Sequence, residues 1–307
     1  MRKKLYIGML MVALALVSGC SKNAGQEKGE ENKTEVTSEK KSEKVTEKET
    51  EKVTEKKEET VVAEELIIKD GEKEIYGKIY KPAKDGEYPA IILSHGYNGC
   101  NSDFAKECRY YAENGYVAYA YDFCGGSTKS KSSGKSTDMT ILTEKADLIA
   151  VFNYIKTLDI VNKEEIFLFG GSQGGLVTAL ACEELKSEVK AMILYYPALN
   201  IPDDWRKNFK SAEEIPDTYD FWGLKLGKNF FTSIRDFYTF DNIGGFDKNV
   251  LIIHGDKDAI VSLNYSEQAK SKYPSLELVV LPGEGHGFTP NGGTTAMNKV
   301  LAFMKAQ

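Results

Sequence analysis

Beyond residue 60 the chain alternates short apolar, β-branched runs with stretches of helical spacing. Val61–Lys69 and Glu72–Lys81 flank Asp70-Gly71, a pair suited to a tight turn, and are predicted as an antiparallel hairpin. Pro89–Ser94, Tyr116–Tyr121, Glu165–Phe169, Ala191–Tyr195, Val250–His254 and Leu276–Leu281 are predicted strands. Between them, Asp103–Glu113, Thr137–Leu158, Gln173–Leu185, Ser262–Lys272 and Thr294–Lys305 have helical spacing, and Gly115 stops the first. Strands that are apolar throughout must be covered on both faces, which implies a mostly parallel sheet between helix layers. The expected architecture of residues 61–307 is one doubly wound α/β domain with an N-terminal antiparallel hairpin at its edge.

Residues 201–246 break the alternation. They carry both tryptophans, Trp205 and Trp222, and a cluster of Phe and Tyr without a clear period. In doubly wound folds ligands bind outside the carboxyl ends of the strands. An aromatic insertion between two strands is therefore expected to cap that edge, the alternative being a packing element at the periphery.

The first 60 residues follow different rules. Arg2-Lys3-Lys4 precede the apolar run Leu5–Val17, which is shorter than the ~20 residues a spanning helix needs and has the plan of an export signal. Val17-Ser18-Gly19-Cys20 resembles the lipobox of bacterial lipoproteins. That resemblance implies removal of residues 1–19, a diacylglycerol on the Cys20 thiol, and a bacterial membrane anchor facing outside the cytoplasm. Two or more acyl chains make such an anchor stable. Residues 21–60 contain 10 Lys and 12 Glu, and from Ser38 the pattern Ser/Thr-Glu-Lys-x repeats every four residues. This stacks like charges at i,i+4 and offers no face to bury, so residues 20–60 read as a solvated tether reaching ~35 Å.

The formal charge of −6 is unevenly placed. Setting Arg2, Lys3 and Lys4 aside leaves −9, of which the tether holds −2. So acidic a domain repels phosphate backbones, which argues against a nucleic-acid partner. Cys100, Cys108, Cys124 and Cys182 match no metal-ligand spacing, and their pairing is not legible. Cys182, within an apolar helical stretch, reads as a small buried side chain.

Three motifs fall where one reaction needs them. Gly170-Gly171-Ser172-Gln173-Gly174 follows a predicted strand and opens a predicted helix, the setting of a nucleophile elbow that forces Ser172 into view. Serine is a weak nucleophile without a base. Of three histidines, His286 lies in the glycine-rich Gly283–Gly287 loop after the last strand, whereas His95 and His254 end apolar strands, where a hydrogen-bonded structural role is expected. The base needs a carboxylate to hold its tautomer, and His254-Gly255-Asp256-Lys257-Asp258 supplies two candidates. The order Ser, Asp, His is that of the α/β-hydrolase arrangement.

On these motifs, together with Leu93-Ser-His-Gly-Tyr97 and Gly285-His-Gly287, residues 61–307 resemble the α/β-hydrolases. The resemblance implies that Asp258 is the acid and Asp256 a turn residue. It also implies that the backbone N–H groups of Tyr97 and Gln173 form an oxyanion hole, each worth ~3 kcal/mol. No metal or other cofactor is implied. More narrowly, Trp222-Gly-Leu-Lys-Leu-Gly227 is similar to the insertion of bacterial cinnamoyl/feruloyl-type esterases, which implies Trp222 at the substrate pocket. One departure is Asp122-Phe-Cys-Gly-Gly-Ser127, where that group often has Asp-x-x-Gly-x-Gly-x-Ser; the resemblance implies the acyl-pocket wall there, and the contraction leaves that wall and the subfamily open. The expected activity is that of a membrane-anchored serine esterase acting on a small-molecule ester. The alternatives are a serine peptidase of the prolyl-oligopeptidase type, disfavoured because no propeller-sized segment precedes the domain, and a non-catalytic binding lipoprotein.

Overall fold

A computed structural model describes residues 60–307; the leader, Cys20 and almost all of the tether lie outside them. Strands β1 (Val61–Asp70) and β2 (Lys73–Pro82) form the expected hairpin, with Gly71 in the left-handed region at its turn. They are followed by β3 (Tyr88–Ser94), α1 (Ala105–Glu113), β4 (Val117–Tyr121), α2 (Ile141–Ile155), β5 (Val161–Gly171), α3 (Gln173–Leu185) and β6 (Met192–Tyr195). The insertion contributes α4 (Ile201–Asn208), β7 (Thr218–Phe221), β8 (Leu224–Gly227) and α5 (Lys228–Arg235). The fold closes with β9 (Val250–Gly255), α6 (Leu263–Ala269), β10 (Leu276–Leu281) and α7 (Pro290–Lys305).

One sheet runs in the order β1-β2-β4-β3-β5-β6-β9-β10, parallel from β4 through β10, with the hairpin as its antiparallel edge. This is the α/β-hydrolase fold. Strand β3 explains why the central runs are apolar at every position. Ala90 and Ile92 point into the layer beneath α2 and α3, while Ile91 and Leu93 point into the layer beneath α1 and α7. All four are fully buried, so a period of two with both faces covered leaves no polar position.

Element ends differ from the pattern where capping or pairing overrides periodicity. Helix α2 starts at Ile141 rather than Thr137 because the Thr140 hydroxyl accepts from Thr143 N–H and Thr143 reciprocates. Strand β5 starts early, at Val161, because that residue pairs with Tyr88 ahead of an irregularity in the β3–β5 register. Helix α7 begins at Pro290, where the fixed proline φ suits a first turn capped by Thr289.

Within the insertion the excess of rings has a local explanation. Trp205 is surrounded by Phe209, Tyr219, Phe221, Phe230 and Phe231 at centroid distances of 4.7–6.4 Å. Leu224, Leu226, Phe230, Phe231 and Ile234 carry this cluster into the core beneath α2. Most of the aromatics therefore build the insertion's own core. The Phe221-Trp222 tip of the β7–β8 hairpin reaches the loop after β3.

Candidate active site

Ser172 sits between β5 and α3 with φ 52° and ψ −119°, a conformation costly for any residue with a side chain. The turn is this tight because the glycines allow it. A Cβ on Gly170 would lie 2.2 Å from the Gly174 carbonyl oxygen, and one on Gly174 would lie 2.4 Å from those of Ser94 and His95. The elbow thus presses α3 onto the end of β3 and lifts Ser172 to the carboxyl edge of the sheet. The Ser172 N–H donates to Tyr195 O at 3.0 Å, fixing the turn to β6 as well.

His286 reaches this point from the loop after β10. Its Nε2 lies 2.9 Å from Ser172 Oγ and its Nδ1 lies 2.8 Å from Asp258 Oδ2. Because a carboxylate only accepts, Nδ1 carries the proton and Nε2 accepts from the serine hydroxyl. Tyr196 packs on the imidazole at a centroid distance of 4.5 Å, and Phe288 in turn packs on Tyr196. Both hold left-handed backbones, φ 34° and φ 24°, so strain is concentrated around this ring.

Of the two acids after β9, Asp258 faces His286. Its side chain has no exposure, and both oxygens are fully engaged. Oδ1 accepts from Ile260 N–H and Val261 N–H at 2.8 and 2.9 Å. Oδ2 accepts from His286 and from His254 Nε2–H at 3.1 Å. Burial opposes ionisation, but the hydrogen bonds from His254, His286 and Val261 outweigh it and hold the carboxyl well below its usual range. Asp256 turns elsewhere, accepting from Gly283 N–H at 2.7 Å and so bracing the loop that carries His286.

The other two histidines differ. His95 donates from Nδ1 to Gly96 O at 2.7 Å and accepts at Nε2 from Phe123 N–H at 3.1 Å, and burial lowers its pKa, so it is a neutral brace. His254 is also buried, but it has more than a packing role. Its Nε2 faces only acceptors, Asp258 Oδ2 and Val261 O, so it must carry the proton, while Nδ1 accepts from Ser266 at 2.7 Å. The i,i+4 spacing to Asp258 was the one sequence signal for this contact.

Gly96 brings the loop after β3 against the nucleophile: a Cβ there would lie 3.1 Å from Ser172 Cβ. Next along it is Tyr97. Gln173 opens α3, where the first N–H groups have no helical partner, and neither it nor the Tyr97 N–H donates to a backbone carbonyl among the described residues. Behind Gln173, Glu144 of α2 is buried and accepts from Gln173 Nε2 at 2.7 Å. This contact had no sequence signal beyond an acidic residue on an otherwise buried helix face. Trp222 stands at the tip of the β7–β8 hairpin, 58% exposed, stacked on Phe221 at 4.7 Å and edge-on to Tyr97 at 6.4 Å. All four described cysteines are free and buried, and among the described residues no His, Cys, Asp or Glu group is arranged to hold a metal.

The arrangement can move a proton from Ser172 to His286 while Asp258 balances the imidazolium. Comparison with known proteins agrees with that chemistry at the family level. A prolyl oligopeptidase family model matches residues 102–307, two-thirds of the chain. The chain belongs to the prolyl oligopeptidase family. A model of acetyl xylan esterase also matches, over residues 32–144. Within this setting the chain is 22% identical over 250 residues to "Uncharacterized peptidase YtmA" of Bacillus subtilis, covering 75% of this chain and 88% of that protein. It is 30% identical over 125 residues to caffeoylshikimate esterase of Arabidopsis thaliana, covering 40% of this chain but only 37% of that one. Among solved structures it is similar to Est1E of Butyrivibrio proteoclasticus with ferulic acid bound, with a TM-score of 0.72 and 27% identity over 79% of this chain and 100% of that one. This member of the prolyl oligopeptidase family is thus an α/β hydrolase of the esterase/peptidase type.

Proposed function

We propose that this chain is a serine ester hydrolase. Ser172 Oγ attacks the ester carbonyl as His286 Nε2 takes its proton. The oxyanion is held by the N–H groups of Tyr97 and Gln173, and His286 returns the proton to the departing alcohol. Water, deprotonated by the same imidazole, then releases the acid from the acyl-enzyme. The observation that carries this reading is the unbroken line of hydrogen bonds from Ser172 through His286 to Asp258. The likeness to Est1E favours an ester with a planar or medium apolar acyl group, and the Trp222 ring, edge-on to Tyr97, is the proposed contact for it. Peptidase action is the second reading, favoured by the family match.

The export-like leader and Cys20 support attachment to the outer face of a bacterial membrane, with the domain held off by its tether.

The deciding experiment compares p-nitrophenyl acetate, butyrate and ferulate with aminoacyl-nitroanilides, on wild type and Ser172→Ala. Ester turnover that falls by ~10⁴ or more in the variant is expected. Equal ester turnover in the variant refutes the nucleophile, and nitroanilide cleavage without ester cleavage favours the peptidase.

A further inference from the structure

The reaction outlined above uses the Tyr97 N–H and leaves the Tyr97 hydroxyl idle. That hydroxyl donates to the Phe221 carbonyl oxygen at 2.7 Å, joining residues 124 positions apart. The ring supports the same contact, edge-on to Phe221 at 5.2 Å and to Trp222 at 6.4 Å. The next residue, Asn98, has φ 53°, and its side-chain amide donates to the Trp222 carbonyl at 3.4 Å. The Asn98 Oδ1 accepts from Thr128 N–H at 3.0 Å. Both residues after Gly96 therefore grip the carbonyls at the tip of the β7–β8 hairpin. The tip itself is strained, since Trp222 holds φ 42° where glycine or asparagine would fit at less cost.

An oxyanion donor works only if its peptide plane is aimed before the charge develops. The loop after Gly96 belongs to no strand or helix until Asn101: Gly99 N–H donates to Gly96 O at 3.1 Å and closes its turn, while side-chain contacts tie that turn to the rest of the fold. We infer that the Tyr97 hydroxyl is a positioning group: its bond to the Phe221 carbonyl fixes the loop that carries the Tyr97 N–H, and so ties the oxyanion hole to the seat of the insertion. Burial keeps the phenol protonated by pushing its pKa well above the ordinary value, so this donor is present wherever the esterase would operate. Phenylalanine would supply the same ring and the same N–H but no clasp.

This inference rests on the serine-hydrolase reading, and the test separates the two. Tyr97→Phe, made in the full-length protein, removes one half-buried hydroxyl and nothing else. With p-nitrophenyl butyrate, kcat is expected to fall about tenfold with KM unchanged. A trifluoromethyl ketone, which forms an oxyanion on the serine, is expected to weaken by the same factor. Amide hydrogen exchange is expected to quicken together at residues 96–99 and 220–224. A kcat within twofold of wild type overturns the inference, as does a fall in kcat with exchange at 96–99 unchanged. If wild type shows no Ser172-dependent turnover, the serine-hydrolase reading has failed instead. The exchange experiment still judges the clasp.

Discussion

Replacing Glu144 by Gln is expected to stabilise the protein in alkaline solution and to do so progressively less as the pH falls. Glu144 is 1% exposed on the face of α2 that meets α3. Its Oε2 accepts from Gln173 Nε2 at 2.7 Å, and its Oε1 has no partner among the described residues. Burial pushes the carboxyl from an ordinary 4.5 up to about 8; the Gln173 hydrogen bond opposes this, and Asp147, one turn later, adds to it. Unfolded, the group titrates near its ordinary value. Between pH ~4.5 and ~8 the folded protein therefore retains a proton that the unfolded chain has released, and stability falls as pH rises through that window. Above ~8 the loss is complete. The separation corresponds to at most ~5 kcal/mol, a large share of a typical domain's stability. Glutamine keeps an acceptor for Gln173 and has no charge to desolvate. Urea unfolding followed by tryptophan fluorescence, at pH 5.5, 7 and 8.5, gives the difference between variant and wild type, in which the titrating groups not coupled to Glu144 cancel. A gain that grows by ~2 kcal/mol or more from pH 5.5 to 8.5 is expected. A difference that stays constant with pH would show that Glu144 titrates as an ordinary carboxyl and would refute the argument.

Asp258→Asn should lower kcat by ~10⁴, because an amide facing His286 Nδ1 and His254 Nε2 favours the wrong tautomer of the base. Asp256→Asn should leave kcat near wild type and cost at most ~1 kcal/mol of stability, since the amide oxygen still accepts from Gly283 N–H; exchanged severities would make Asp256 the acid. Trp222→Ala should shrink an expected ~tenfold preference for butyryl and feruloyl over acetyl esters, ~1.4 kcal/mol, with Tm unchanged because the ring is exposed. Equal kcat/KM across the series in wild type would make Trp222 a purely structural contact. Cys20→Ala should move the protein from the membrane to the soluble fraction, and an unchanged distribution would exclude the lipid anchor.

What the sequence determined by itself was whatever depends on neighbours within a few residues. The central strands were legible because burial on both faces demands apolar residues at consecutive positions, as Ala90 to Leu93 show. The β1–β2 hairpin was legible because only a residue at ease with positive φ, Gly71, suits its turn. The elbow was legible because the close approach of Gly170 to Gly174 leaves no room for a side chain, so the constraint is written in the residues that make it. Capping and strand pairing moved the element ends by a few residues, since those contacts compete with periodicity.

The tertiary structure alone decided which distant groups meet. A ring-rich insertion has the same composition whether its rings line a pocket or pack on one another, and only the contacts of Trp205 show that most of them do the latter. His254 reads as a strand-end histidine until the turn after β9 brings it onto Asp258. Glu144 meets Gln173 and Tyr97 meets Phe221 across separations of 29 and 124 residues. Such contacts leave no local pattern, because their partners are chosen by the packing of whole elements. Chemistry carried by a single turn can be read along the chain, whereas the groups that hold that turn in place come from wherever the fold happens to bring them.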